Sequence, residues 1–100
     1  MMGYPRRRNS VVWKIIDRKG ILLHLDSGEY FEVDPVGLFI WERCSGRAEL
    51  QKIAEEVASR FGVTQRRAEG GVADFVSDLK RKNLLEVLET LGEAAVDPKG

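Results

Sequence analysis

Cysteine and histidine are almost missing from this chain of 100 residues: Cys44 and His24 are the only examples of each. One cysteine excludes an intrachain disulfide and a cysteine-rich metal site. One histidine with no visibly paired ligand or nucleophile leaves no metal or acid–base constellation of the usual kind, so His24 reads as a structural or surface residue. Charge of one sign is also lacking. Sixteen basic residues balance sixteen acidic ones, so no overall field draws the chain to nucleic acid or to an anionic membrane. No apolar run approaches the roughly 20 residues that span a bilayer. No apolar segment follows Arg6-Arg7-Arg8 before Val11, so the pattern of a secretory signal is wanting as well. No glycine-rich phosphate loop follows a strand. These absences predict a non-catalytic chain without metal or cofactor, working in a reducing cytoplasm.

What is present is a change of periodicity. The segments "VVWKII" (11–16) and "ILLHL" (21–25) are rich in β-branched and aliphatic residues, separated by a polar turn that ends in Gly20. "DSG" (26–28) is the next break, with Gly28 suited to the left-handed position of a three-residue hairpin loop. That loop would set Leu25 opposite Glu29, Leu23 opposite Phe31 and Ile21 opposite Val33, with His24 and Tyr30 on the other face. The three segments read as an antiparallel meander with the first and third strands at its edges. The third strand, Glu29 to Val33, contains neither proline nor lysine, two of the usual protections of a sheet edge.

Asp34 then caps a helix that has Pro35 at its first position, where a missing N–H costs nothing. Val36, Ile40 and Cys44 line one face of it, and Ser45-Gly46 ends it. A buried, inert thiol is the reading for Cys44. A second helix at about 49–61 is apolar at Leu50, Ile53, Ala54, Val57, Ala58 and Phe61. Gly62 stops it and Thr64 caps a third, at about 65–82, which buries Ala68, Val72, Phe75, Val76 and Leu79. "NLLEVL" (83–88) closes the unit as a short strand or helix end. The expected division is a flexible arm over 1–9, one domain over 10–88 and a flexible tail over 89–100. Three strands followed by three helices give an α+β, winged-helix-like fold with a three-stranded antiparallel sheet.

The string "ILLHLDSGEYFEVDPVGLFIWE", followed by an amphipathic helix, "FGVT" and a helix reaching "LKRKNLLEV", resembles the PqqD family, recognition domains for the leaders of ribosomally made, modified peptides. Gly28, Tyr30, Phe31, Val33, Gly37, Ile40 and Trp41 carry the resemblance over roughly residues 10–87. Where the branch serving pyrroloquinoline quinone synthesis usually has a proline–glutamate pair, this chain has "HLDSG". The resemblance implies that a precursor's leader peptide adds antiparallel to the third strand, lying in a groove beside the third helix. It implies partners too: a peptide-modifying enzyme such as a radical SAM enzyme, or a leader protease, with no membrane and no cofactor.

The peptide-binding residues expected on this basis are Glu29, Tyr30, Phe31, Glu32, Val33 and Asp34 on the strand. From the third helix come Arg67, Gly71, Asp74, Phe75 and Asp78. Arg67, Asp74 and Asp78 would select peptides by charge. Gly71 inside a helix is locally unfavourable, and either a ligand backbone or a packed neighbour could require it. The alternative is a winged-helix DNA-binding protein. Its reading helix would carry Arg66, Arg67, Lys80, Arg81 and Lys82 against Glu69, Asp74 and Asp78, five minus three, a charge of only +2.

Overall fold

The computed structural model describes residues 2–90. Its elements run β1 (Tyr4–Arg7), β2 (Val11–Ile16), β3 (Lys19–His24), β4 (Tyr30–Val33), α1 (Pro35–Glu42), α2 (Leu50–Phe61), α3 (Gln65–Arg81) and β5 (Leu85–Leu88). Strands β2-β3-β4 make the expected antiparallel meander, with β2 and β4 at its edges. The helices pack on one face of it. Trp41, Leu22, Ile53, Val72 and Leu84, all shut off from solvent, form the centre of the core.

The first nine residues are not the loose arm that their arginines suggested. β1 pairs antiparallel with β5, Tyr4 opposite Leu88 and Arg7 opposite Leu85. Three further backbone bonds fasten it: Arg7 N–H donates to the Cys44 carbonyl at 2.9 Å, Gly46 N–H to that of Pro5 at 2.8 Å, and Leu50 N–H to that of Gly3 at 3.0 Å. The last of these supplies a partner at the start of α2, where Glu49 provides no side-chain cap. Of the expected tail, Glu89 and Thr90 follow β5 as exposed residues, and 91–100 lie outside the described residues.

The register of the hairpin differs from expectation by one residue. His24 N–H donates to the Glu29 carbonyl at 2.9 Å, Leu22 stands opposite Phe31, and Gly20 opposite Val33. The loop is therefore four residues, Leu25 to Gly28, and Gly28 takes the left-handed conformation (φ 78°). The cause is that "ILL" is apolar on both faces, so parity cannot choose between Leu22 and Leu23. Close packing does. Leu22 is fully buried against α1, while Leu23 and Ile21 face outward with Val12, Ile16 and Tyr30. His24 thus lies on the inner face, contrary to expectation, and its Nδ1 accepts the Asp26 N–H at 3.2 Å.

Gly20 and Gly37 set the distance between layers. A Cβ on Gly20 would lie 2.8 Å from Val33 Cγ2 and 3.0 Å from Leu38 Cδ1; one on Gly37 would lie 2.9 Å from Phe75 Cε1 and 3.2 Å from Val33 Cβ. α1 starts as expected, Asp34 Oδ1 accepting the Gly37 N–H at 2.7 Å. It ends sooner, at Glu42. Its inner face is Gly37, Leu38, Ile40 and Trp41, so Val36 is exposed instead of buried. Cys44 lies beyond the helix but in the core, its Sγ donating to the Ile40 carbonyl at 3.2 Å.

Two predictions follow from this packing. Gly37→Ala lowers unfolding free energy by about 1–3 kcal/mol, because the new methyl would stand 2.9 Å from the Phe75 ring and 3.2 Å from Val33 Cβ and the packing must shift to admit it. Gly70→Ala, with nothing within 4 Å of the new methyl, raises it by up to about 1 kcal/mol; urea denaturation separates the two. The second concerns pH. Burial pushes the Cys44 thiol up from 9.0 to about 12, against a smaller downward pull from the Arg7 charge. The folded chain thus holds this proton more tightly than the unfolded one. The contribution is complete below pH 9 and is lost as pH rises from there towards 12, with a slope of at most about 1.4 kcal/mol per pH unit. Cys44→Ala removes that component of the alkaline stability profile.

Candidate functional site

A sheet edge becomes a site only where its unpaired backbone groups stand over something that can receive side chains. In an antiparallel ladder the residues that exchange bonds with the neighbouring strand alternate with residues whose N–H and C=O point the other way. His24 bonding to Glu29 fixes that alternation: Glu29, Phe31 and Val33 turn their backbone towards β3. The groups of Tyr30 and Glu32 consequently point out from the edge. Of the row expected to be open, from Glu29 to Val33, every second residue is available.

Beside this edge runs a groove walled by α3. Its lower part, about 240 Å3, lies between β4 and the second half of α3 and is lined by Phe31, Glu32, Val33, Phe75, Asp78, Leu79, Lys82 and Leu84. Its upper part, about 470 Å3, lies between α1, the end of α2 and the first half of α3. Ile40, Val57, Phe61, Val63, Arg67, Gly71 and Val72 line it. Asp34, Gly37 and Phe75 belong to both parts. The half-buried Phe75 ring is the ridge between them, held there because Gly37 has no side chain.

Most of the expected residues meet here. Phe31 is half-buried on the groove floor, and the Lys82 ammonium sits 5.2 Å from its ring centroid. Val33 is buried behind it, and Asp34 spends one carboxylate oxygen on capping α1. Tyr30 contributes backbone only, its side chain being exposed on the outer face of the sheet. Glu32 pairs with Lys19 at 2.9 Å across that outer face. Glu29 stands at the far end of the edge, its N–H bonded to Ser27 Oγ.

On α3, Arg67 and Gly71 line the upper part, and Gly71 has open space where a Cβ would stand, which removes the packing explanation for it. Asp78 is in the groove, but its carboxylate is already shared by Arg81 at 2.7 Å and Lys82 at 3.0 Å. Asp74 is exposed and lines neither part, so its expected place in the site is not supported by the geometry.

Lys82, Val63, Phe61 and Leu84 were not expected as lining. For Lys82 a signal existed, since it falls four residues after Asp78 on the same flank of the helix. The other three depend on how α2 and β5 close the ends of the groove, which no local pattern contains. Among the described residues there is no cluster of three metal-binding side chains. No helix there is long and apolar enough to cross a membrane.

The same fold recurs in solved structures. TbiB1 in complex with the TbiA(beta) leader peptide is 32% identical and superposes with a TM-score of 0.75, over 81% of this chain and 94% of that one. Lasso peptide synthetase B1 complexed with the leader peptide has the same fold, with a TM-score of 0.75 at 24% identity, over 83% and 98% of the two chains. So does the PqqD truncation of Methylobacterium extorquens PqqCD, a stand-alone recognition element for ribosomally synthesized and post-translationally modified peptides. Its TM-score is 0.69 at 20% identity, over 82% of this chain and 87% of that one. No curated protein sequence matches the chain. The family model for coenzyme PQQ synthesis protein D matches residues 19–85, from the start of β3 to the first residue of β5, and the chain belongs to the PqqD family.

Proposed function

We propose that this protein is a non-catalytic recognition element. It binds the leader segment of a ribosomally made precursor peptide by adding it as a further strand to β4, and presents the remainder to a modifying enzyme or protease. The observation that carries this reading is the open edge at Tyr30 and Glu32, standing directly over an apolar groove. Main-chain bonds to such an edge give affinity, and the pockets beneath give specificity. Each bond contributes about 0.5–1.5 kcal/mol net. With one or two apolar side chains in the groove, and the cost of association deducted, a Kd of order 0.1–10 μM results. That is strong enough to hold a substrate and weak enough to release it. Held this way, the rest of the precursor is kept at high effective concentration beside its enzyme.

A radical SAM enzyme or a leader protease fits as that partner, and the cytoplasm, where precursors are made, fits as the setting. The non-catalytic part of the reading is supported by the position of the two residues best able to react. Cys44 is a buried thiol held protonated well above neutral pH, and His24 is on the inner face of the sheet. The nucleic-acid alternative loses ground because Asp78 engages both Arg81 and Lys82, two of the cations it would need for phosphate.

The test starts from peptides selected out of a random display library, with affinities read by fluorescence anisotropy. Tyr30→Pro deletes an outward N–H from an edge strand, where proline leaves the β3 ladder intact. It weakens binding about five- to tenfold, the value of a lost backbone bond plus steric interference from the ring. Tyr30→Ala, which removes only an outer-face side chain, stays within about twofold of wild type. Gly71→Ala weakens binding although it stabilises α3, because its methyl projects into the upper groove. Unchanged affinity in Tyr30→Pro would show that the peptide does not use this edge.

A further inference from the structure

The strand-addition reading leaves one conspicuous feature of the sequence unused, the run Arg6-Arg7-Arg8. In the fold Arg6 and Arg7 lie in β1 and Arg8 follows directly after it, tied by its N–H to the Leu84 carbonyl at 3.1 Å, so the run stands at a fixed place near the end of the groove. A peptide antiparallel to β4 has its N-terminal side at Asp34 and its C-terminal side at Glu29. Past Glu29 the lower groove opens into a polar cavity of about 450 Å3, lined among others by Arg8, Ser10, Ser27, Glu29 and Lys82. Lys82 lines both spaces, so they are neighbours on the same flank of α3. Arg8 in turn belongs both to this cavity and to the next, of about 330 Å3, whose lining includes Arg6, Arg7, Asn9 and Ser45.

We infer that this arginine-lined cavity is an exit subsite for acidic side chains, located on the bound peptide just C-terminal to the segment that pairs with β4. The inference rests on the strand-addition reading for its direction and on the charge order along the path for its chemistry. In the polar cavity Arg8 and Lys82 are balanced by Asp26 and Glu29. Beyond Arg8 the lining holds three guanidinium groups and, among the described residues, no carboxylate; Glu86, bound to Arg6, lies outside that lining and offsets one of the three charges. A chain leaving β4 at about 3.3 Å per residue therefore moves from balanced into positive surroundings within a few residues.

Two of the three cations are held in place. Arg7 donates through Nη1 to the carbonyls of Trp41 at 2.9 Å and Glu42 at 3.0 Å, and its guanidinium lies against the Trp13 and Trp41 rings. Arg6 is bonded to Glu86 through Nε at 2.8 Å. Arg8 makes only a 3.8 Å contact with that same carboxylate and is nearly half exposed, which leaves it the most available of the three. Arg8 is free to turn towards a carboxylate, while the charges of Arg6 and Arg7 are already in position beside it, which favours carboxylates over a neutral continuation.

The experiment extends one library-selected peptide by Glu-Glu-Glu or by Gly-Ser-Gly, at its C-terminus or at its N-terminus. Binding is measured at low salt, where exposed charges are least screened. The C-terminal acidic extension tightens binding about three- to tenfold over the neutral one, and the N-terminal acidic extension does not. Arg8→Glu abolishes the gain while leaving the unextended peptide within about twofold. Arg8→Ala gives an intermediate result, and denaturation curves confirm that both variants fold. An equal gain at either terminus, or a gain that survives Arg8→Glu, overturns the assignment.

A second measurement does not depend on strand addition. Free triglutamate, which has no apolar side chain for the groove beside β4, shifts the backbone amides of Arg8 and Ser45 in NMR spectra of the wild type, and Arg8→Glu removes those shifts. Their absence in the wild type also overturns the subsite. Failure of every selected peptide to respond to Tyr30→Pro, with the triglutamate shifts intact, would instead count against strand addition alone.

Discussion

The close approach of α1 to β4 and α3 at Gly37 is the constraint on which the rest of the structure depends. Asp34 ends the edge strand and caps the helix in one residue, so the chain turns from sheet to helix without a connecting loop. With no side chain at Gly37, the Phe75 ring closes on the corner from α3, and Val33 fills the space beneath. That three-way contact places α3 alongside the open edge, and it makes the ridge between the two parts of the groove. A larger residue at Gly37 would move the wall and the floor of the site together. Stability and recognition are therefore coupled at one position, instead of being divided between core and surface.

The edge of β4 is a hazard that the proposed function puts to use. An unpaired strand without proline or lysine invites association with any extended chain. Here the hazard is limited by length: β4 is four residues, of which two turn their backbone outward. So short an edge cannot hold a peptide by main-chain bonds alone at micromolar strength. The groove has to supply the remainder through side chains, and specificity enters with it. The pairing of Asp78 with Arg81 and Lys82 suits the same purpose. The charges are thereby spent on one another, which on the strand-addition reading leaves apolar contact with Phe31, Phe75 and Leu79 to select the peptide.

The second sheet, β1 with β5, shapes the far end of this path. It joins segments eighty residues apart, and it turns an arginine run that composition alone makes a solvated tail into part of the domain. The bonds from Arg7 and Gly46 tie β1 to the loop after α1, and that from Leu50 ties it to the start of α2. The basic run thereby acquires a fixed position relative to the groove.

The sequence by itself determined the order of the elements from β2 to α3, the Asp34-Pro35 corner, the caps at Thr64 and Gly62, and the flank of α3 that carries Arg67, Gly71, Asp74, Asp78 and Lys82. These are local: hydrophobic period, proline geometry and capping chemistry are written within a few residues of where they act. It also put the third strand at an edge, as the last member of a three-stranded meander. Tertiary structure alone decided three things. It chose the hairpin register, since "ILL" offers two apolar faces and only packing against α1 prefers Leu22. It paired Tyr4–Arg7 with Leu85–Leu88, because partners at opposite ends of a chain leave no periodic trace in either. And it excluded Asp74 from the groove while admitting Phe61, Val63 and Leu84, because whether a side chain faces a cleft depends on the distance between elements, which no single element encodes.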